Sequence, residues 1–271
     1  MPEWPEIANL ARQMQAVLPG RTIAGVTVRQ SRCLNLPEPE FIAAVLGAQV
    51  LAVAPRGKWL QIQTTQGWLL ISLGMGGEVL LTPPAALPEK TRLHFDLDDG
   101  ASLMVNFWWF GYVHYVQTLA EHTMTARLGV DALALGPADL TAAFAGKRFR
   151  LKAFLLDQAR IAGIGNFYVH DILFQARLHP LRQVNTLTGV EVEALVQAIH
   201  QRLAYSLSLG GAAYEVDLYG GKGHFEMTEL LVGYREGQPC PECATPVEKI
   251  KTGSTSSFVC PRCQPLIPES R

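Results

Sequence analysis

Two Cys-x-x-Cys knuckles near the end of the chain, Cys240-Pro-Glu-Cys243 and Cys260-Pro-Arg-Cys263, constrain its folding more than any other feature. Thiolate pairs at this spacing suit a tetrahedral Zn²⁺ on a β-hairpin. Four sulfur ligands fill the coordination sphere, so the expected ion is single and structural, with no open position for catalysis. The segment from Cys240 to Cys263 is too short to build its own core, and the metal is expected to supply its stability. Lys249, Lys251 and Arg262 add positive charge to this finger. Four of the five cysteines lie in this tail, a crowding that points to metal binding rather than to a disulfide framework. The fifth, Cys33, sits in a predicted loop between Arg32 and Pro39 and reads as a thiol without function.

The remainder of the 271 residues is long enough for two domains. With 48% hydrophobic and 17% charged residues the composition is that of a folded globular chain. No apolar run reaches the roughly 18 to 20 residues of a membrane span, and the first residues lack the pattern of a signal peptide, so a cytoplasmic protein without a membrane partner is expected. A net charge of −1 argues against a protein that coats polyanions indiscriminately. Any nucleic-acid surface must come from local clusters of Lys and Arg.

Taken in order, Ile7, Leu10, Ala11, Met14, Val17 and Leu18 recur at helical spacing until Pro19-Gly20. From Thr22 to Val116 short β-type runs alternate with turns: 22–28, 50–53, 59–64, 68–73, 78–81, 93–97 and 102–116. This pattern suits an antiparallel sandwich or barrel. From about Leu128 the chain becomes helical, with a linker over Leu133–Pro137, short apolar helices between Phe154 and His179, and a longer helix from Thr188 that carries a capping box with Glu191. Gly210-Gly211 stops that helix, and Tyr214–Phe225 reads as a mobile loop.

Several places could carry chemistry. Met1-Pro2-Glu3 places a secondary amine beside a carboxylate once Met1 is removed. An α-amino group has a pKa near about 7.7 to 8.0 and can act as a nucleophile near neutrality. The same residues also suit a plain helix start. Lys58 opens a strand after Gly57, as a phosphate contact or a solvated turn lysine. Met75 stands at the tip of the turn Leu73-Gly74-Met75-Gly76-Gly77, exposed by its glycines. Asn106-Phe107-Trp108-Trp109-Phe110-Gly111 is too dense in aromatics for strand alternation, so half is expected in the core and half as a stacking surface for bases. Gly163-Ile164-Gly165-Asn166 forms a tight turn that can bring backbone N–H groups to a phosphate.

The N-terminal Pro2-Glu3 with Pro5-Glu6, the Arg56-Gly57-Lys58 turn, Gly163-Ile164-Gly165-Asn166 with Tyr168, Leu178-His179-Pro180 and the four cysteines occur in one order. Together they resemble the formamidopyrimidine-DNA glycosylase and endonuclease VIII family of base-excision repair. The resemblance implies an α+β protein: an N-terminal helix and antiparallel β-sandwich forming a catalytic domain over residues 1–127, a helix-two-turn-helix DNA-binding domain over 128–230, and a zinc-finger hairpin over 231–271. It implies a monomer that grips DNA containing a damaged base or abasic site in a cleft. Pro2 would attack C1′ of the flipped-out nucleotide, Glu3 would transfer protons, and the strand would be cut through the resulting iminium. Lys58 and Asn166 match phosphate-binding positions, with Lys152 a further such contact, while Met75 and Phe110 match wedge positions.

Two departures stand out. Thr255 occupies the position of a phosphate-gripping arginine in the zinc hairpin, and Trp108 that of an arginine facing the orphaned base. Losing a charged phosphate contact costs about 1.5 to 3 kcal/mol, which points to an altered choice of lesion. Trp108 and Trp109 would then stack on DNA without reading the partner base. The alternative reading is a damage-binding protein with little glycosylase activity; a zinc-ribbon adaptor explains the tail but not the N-terminus.

Overall fold

The structure is a computed structural model and describes residues 1–266. Its contacts divide the chain into two compact units, one of Met1–Arg127 with Leu207–His224, the other of Leu128–Ser206 with the residues from Phe225 onward.

In the first unit, α1 (Trp4–Val17) begins with Pro5 in its first turn, where a missing N–H costs nothing. Its buried residues Ile7, Leu10, Ala11 and Met14 form the expected stripe. Strand β1 (Ile23–Val28) follows, then α2 (Glu38–Val45), which begins within the last residues of the loop expected between Arg32 and Pro39. Pro39 looks like a helix breaker but lies in the first turn of α2, which anchors Phe41 and Val45 in the core. Seven strands complete the unit: β2 (Val50–Arg56), β3 (Trp59–Thr64), β4 (Gly67–Ser72), β5 (Glu78–Thr82), β6 (Leu93–Leu97), β7 (Ser102–Asn106) and β8 (Tyr112–Val116). The long β run expected over 102–116 is thus two strands, interrupted by the loop Phe107–Gly111.

The strands form two antiparallel four-stranded sheets, ordered β1-β6-β7-β5 and β2-β3-β4-β8, so the sandwich is present. Ile62, Leu69, Ile71, Phe95, Leu103 and Val105 interdigitate between them. Each such side chain contributes about 1.5 to 3 kcal/mol by leaving water. On the second sheet Trp59 stacks on Tyr112 with ring centres 6.0 Å apart. Beside them His114 Nδ1 lies 2.9 Å from His122 Nε2, whose own Nδ1 is 2.8 Å from Thr125 Oγ1 in the short helix α3 (Thr123–Ala126).

The segment Tyr214–Phe225 was expected to be mobile, but Leu207–His224 is fastened to the first unit. Asn9 Nδ2 donates to Gly210 O at 3.2 Å, Gln13 Nε2 to Asp217 Oδ2 at 3.0 Å, and the Leu218 amide to Gln13 Oε1 at 2.9 Å. Leu218 is fully buried in the sandwich core, and its carbonyl accepts the Leu81 amide.

The second unit holds β9 (Val130–Asp131), α4 (Pro137–Phe144), α5 (Leu151–Leu156), β10 (Ile161–Ala162), α6 (Val169–Gln175), α7 (Gly189–Ser208) and the hairpin β11 (Glu248–Thr252) with β12 (Thr255–Val259). The capping box of α7 forms as expected: the Thr188 amide donates to Glu191 Oε2 at 2.8 Å, and the Glu191 amide to Thr188 Oγ1 at 3.3 Å. At the centre lies Asp171, fully buried on α6. It accepts the amides of Leu231, Val232 and Gly233 at 2.8, 3.0 and 2.9 Å and pairs with Arg202 of α7 at 3.0 Å. The carboxylate thereby ties α6 and α7 to the strand of chain entering the finger.

Candidate functional site

The start of α1 gathers three carboxylates around the amino terminus. Pro2 and Glu3 are buried. Glu6, also buried, receives the Glu3 amide at 2.8 Å and the Ala212 amide at 2.9 Å, which locks the terminal residues onto the returning segment. The terminal ammonium of Met1 lies 3.5 Å from Glu215 Oε1. Burial pushes the Glu215 carboxyl up to about 7, with the ammonium lowering it and Glu6 and Glu3 raising it. Such a group can take up a proton close to neutral pH, where an adjacent amine must lose one to become a nucleophile. The sequence supplied Pro2, Glu3 and Glu6. Glu215 gave no signal, because its approach depends on the return of a distant segment.

Elsewhere in the first unit, Lys58 sits half-buried in the tight turn between β2 and β3. Met75 and the aromatic run meet as a paired rim: the Met75 amide donates to Trp109 O at 2.8 Å, and the Trp108 amide to Met75 O at 2.9 Å. Gly74 and Gly76 have φ of 56° and 60°. A Cβ on Gly74 would lie 2.1 Å from Trp109 O, and one on Gly76 would lie 2.8 Å from the Trp108 indole, so only glycine permits this closeness. The expected division of the aromatic run is observed. Phe107 is 4% exposed, whereas Trp108, Trp109 and Phe110 are 69, 66 and 69% exposed and Met75 is 49% exposed.

In the second unit, the turn before α6 is built by Gln158, a residue without an evident sequence signal. It accepts the Gly163 amide at 2.9 Å and donates to Ile164 O at 2.8 Å. Asn166 is half-buried and donates to the Tyr234 hydroxyl at 3.3 Å. Lys152 is 2% exposed, and its ammonium donates to Thr255 Oγ1 at 3.1 Å and Ser256 O at 2.5 Å. Burial draws the Lys152 amine down to about 8. Lys152 and Thr255, two separate candidates in the sequence, are therefore direct partners.

The four cysteine Sγ atoms lie within 4.8 Å of one another, with Cys240 and Cys263 at 3.8 Å and Cys243 and Cys260 at 3.4 Å. Tetrahedral zinc with bonds of about 2.3 Å needs sulfur separations near about 3.8 Å, so the donor set fits one Zn²⁺. Phe174, Val232, Val247 and Phe258 pack around the site and give the finger the apolar support it cannot supply alone. Gln264 accepts the Cys260 amide at 3.1 Å and donates to Leu178 O at 2.9 Å, which anchors the second knuckle. Cys33 is apart from this set, buried, with its thiol pushed up to about 11 by burial. Among the described residues, no helix is long and apolar enough to cross a membrane.

Three family descriptions match in sequence: the formamidopyrimidine-DNA glycosylase N-terminal domain over residues 1–107, its H2TH domain over 128–217, and the zinc finger found in FPG and IleRS over 237–266. The formamidopyrimidine-DNA glycosylase of Chloroflexus aggregans is 38% identical over 98% of this chain and 100% of its own. That of Gluconobacter oxydans is 38% identical over 97% of this chain and 100% of its own. Among solved structures, the MutM (Fpg) protein of Thermus thermophilus superposes with a TM-score of 0.86 at 31% identity, covering 98% of this chain and 100% of that one. A Lactococcus lactis Fpg bound to DNA containing N7-benzyl-Fapy-dG shares the fold, with a TM-score of 0.90 at 24% identity over 98% of this chain and all of the other. A carboxylate-lined amino terminus, a four-thiolate finger and relatives aligned from end to end agree on one assignment: the chain belongs to the formamidopyrimidine-DNA glycosylase family.

Proposed function

We propose that this protein is a base-excision-repair DNA glycosylase with abasic-site lyase activity, excising a damaged, oxidised base and cutting the strand. The observation that carries this reading is the cluster of Glu3, Glu6 and Glu215 around the amino terminus. Removal of Met1 exposes the Pro2 amine. The unprotonated amine attacks C1′; the N–C1′ bond forms as the bond from C1′ to the base breaks, and the base leaves with a proton. Glu3 protonates the sugar ring oxygen, so the ring opens to an iminium. Loss of a C2′ proton then expels the 3′-phosphate, and a second elimination expels the 5′-phosphate. Water finally releases Pro2. Glu215 serves as acceptor for the proton that the amine sheds.

Lys58 and Asn166 bind phosphates flanking the lesion, and Lys152 adds charge beside Thr255 in the zinc finger. Met75, Phe110 and Trp108 enter the base stack as apolar wedges, a mode that exploits their exposure. Functionally, the chain divides into a catalytic sandwich over residues 1–127, a helix-two-turn-helix DNA-binding domain over 128–230 and a finger from residue 231. The protein works as a monomer in the cytoplasm, on the nucleoid.

Borohydride trapping on a duplex with one abasic site tests the reading. The protein lacking Met1 should form a covalent adduct at Pro2 and cut the strand, while Pro2→Gly and Glu3→Gln should lose most of both. Binding without adduct or cleavage would replace this reading by the damage-binding alternative, which Thr255 and Trp108 favour as substitutes for DNA-contacting arginines.

A further inference from the structure

A cavity of about 230 Å³ opens within the second unit, between the end of α4 and the start of α7. None of the roles assigned above uses it. Its apolar walls come from Phe144 at the end of α4, Val184 and Leu187 in the turn before α7, and Val192 in the buried stripe of α7. Gly189, exposed and lining the cavity, keeps it open to solvent, since a Cβ there would meet nothing within 4 Å. Beside it Val190 is 76% exposed, the most of any large hydrophobic residue among those described.

The lining defines what fits. Phe144 is 4% exposed, its ring held against Phe154 with centres 4.9 Å apart, so it offers no open face on which a base could stack. The remaining walls are aliphatic. At about 230 Å³ the cavity falls below the roughly 300 to 1,000 Å³ of pockets for drug-sized ligands, a size suited to one large apolar side chain.

Polar groups at its edge define what carries that side chain. Asn185 lines the cavity, and its carboxamide has no hydrogen-bond partner among the described residues. A planar group with both donor and acceptor matches the C=O and N–H of a peptide backbone. Lys147 and Arg148 follow the lining of α4 directly, are exposed, and form no ion pair among the described residues. The carboxylates closest in the chain are mostly engaged: Glu191 pairs with Arg182 at 2.7 Å, and Asp139 accepts the Gly136 amide at 2.8 Å. Two free cations thus stand against one free carboxylate, Glu193.

We infer that this cavity is a docking site for a partner protein, which inserts one large apolar side chain of an extended acidic segment. The acidic residues beside that anchor meet Lys147 and Arg148, and Asn185 holds the segment's backbone. A DNA strand would use the cations but has no use for an aliphatic cavity beside them. The docking site is separate from the amino terminus and independent of the repair reading.

Short random peptides displayed on phage, selected against the immobilised zinc-loaded full chain, test this. Enriched sequences should share one Leu, Ile, Met or Phe flanked by Asp or Glu, and their synthetic forms are measured by fluorescence anisotropy. Replacing the anchor by Ala should weaken binding about 10- to 150-fold, the worth of burying such a side chain. Gly189→Phe, which fills the cavity from a position with room for a side chain, should abolish binding while borohydride trapping on an abasic duplex continues. A Lys147→Glu, Arg148→Glu double substitution should slow association and remove most of its salt dependence. No enrichment, enriched peptides without acidic residues, or binding that survives Gly189→Phe would overturn the inference. It would fall equally if the double substitution weakened binding of the abasic duplex and left peptide binding unchanged, which would assign the two cations to DNA.

Discussion

Replacing Asp171 by alanine should destabilise the second unit more than any surface change in it. The carboxylate is fully buried and accepts three backbone amides and one guanidinium nitrogen. Its partner Arg202 is also buried, and once the pair is broken it keeps a hydrogen bond to Glu229 O at 2.9 Å and its place over the rings of Tyr205 and Phe225, but has no opposite charge against it among the described residues. Hydrogen bonds to a charged group are worth about 1.5 to 3 kcal/mol each, but the freed amides of 231–233 regain water when that strand loosens. The term that remains is an uncompensated buried guanidinium, about 3 to 5 kcal/mol. At the melting temperature that corresponds to a fall of order 10 to 20 °C for a unit of this size. Urea unfolding of the zinc-loaded protein measures the loss, and hydrogen exchange should locate its first effect at the amides of Val232 and Gly233. An Asp171→Leu, Arg202→Met double substitution should recover much of the stability, because it removes both charges. A loss below about 1 kcal/mol for Asp171→Ala, or strict additivity in the pair, would refute this account of the carboxylate.

Two further outcomes follow from the same kind of reasoning. Chelation of the zinc should unfold the hairpin of Glu248–Thr252 and Thr255–Val259 while the sandwich of the first unit keeps its amide protection, since structural zinc contributes on the order of 10 kcal/mol to small modules; a hairpin that stays protected in metal-free buffer would contradict it. The histidine pair should make stability fall in mild acid. Burial, with His122 adding to it, lowers His114 from 6.5 to about 4, and burial lowers His122 too. The folded state therefore refuses protons that the unfolded chain accepts, so this contribution is complete above about 6.5 and is lost as the pH falls toward 4. Allowing for solvent screening at this half-buried site, His114 accounts for about 1 to 2 kcal/mol, and His114→Asn should flatten the slope of urea midpoints between these values.

What the sequence revealed was local in origin. The cysteine knuckles, the stripe of α1 and the Thr188/Glu191 capping box all encode structure through residues a few positions apart, where spacing alone fixes geometry. The break in the 102–116 run was legible only as an excess of aromatics; it takes the contacts of Met75 with Trp108 and Trp109 to turn that excess into a loop. Helix α2 was obscured by Pro39, a breaker in mid-helix but harmless in a first turn. Asp171 and Glu215 remained hidden for a different reason. Each derives its importance from segments far along the chain, and no periodicity marks a carboxylate that will be enclosed by distant amides or by an amino terminus. Lys152 and Thr255 were visible as candidates, but their partnership belongs to the folded chain.

The return of Leu207–His224 to the first unit also has a consequence for synthesis. Chains emerge from the ribosome N-terminus first, at about 5 to 20 residues per second. The sandwich strands are complete at Val116, so they can assemble while α7 has yet to be translated. The amino terminus, however, waits for Ala212 to engage Glu6 and for Glu215 to reach it. A chain cut off before this segment would thus carry the sandwich strands with an amino terminus that lacks both contacts. The surroundings of the first residues are finished only when the chain has grown past Glu215.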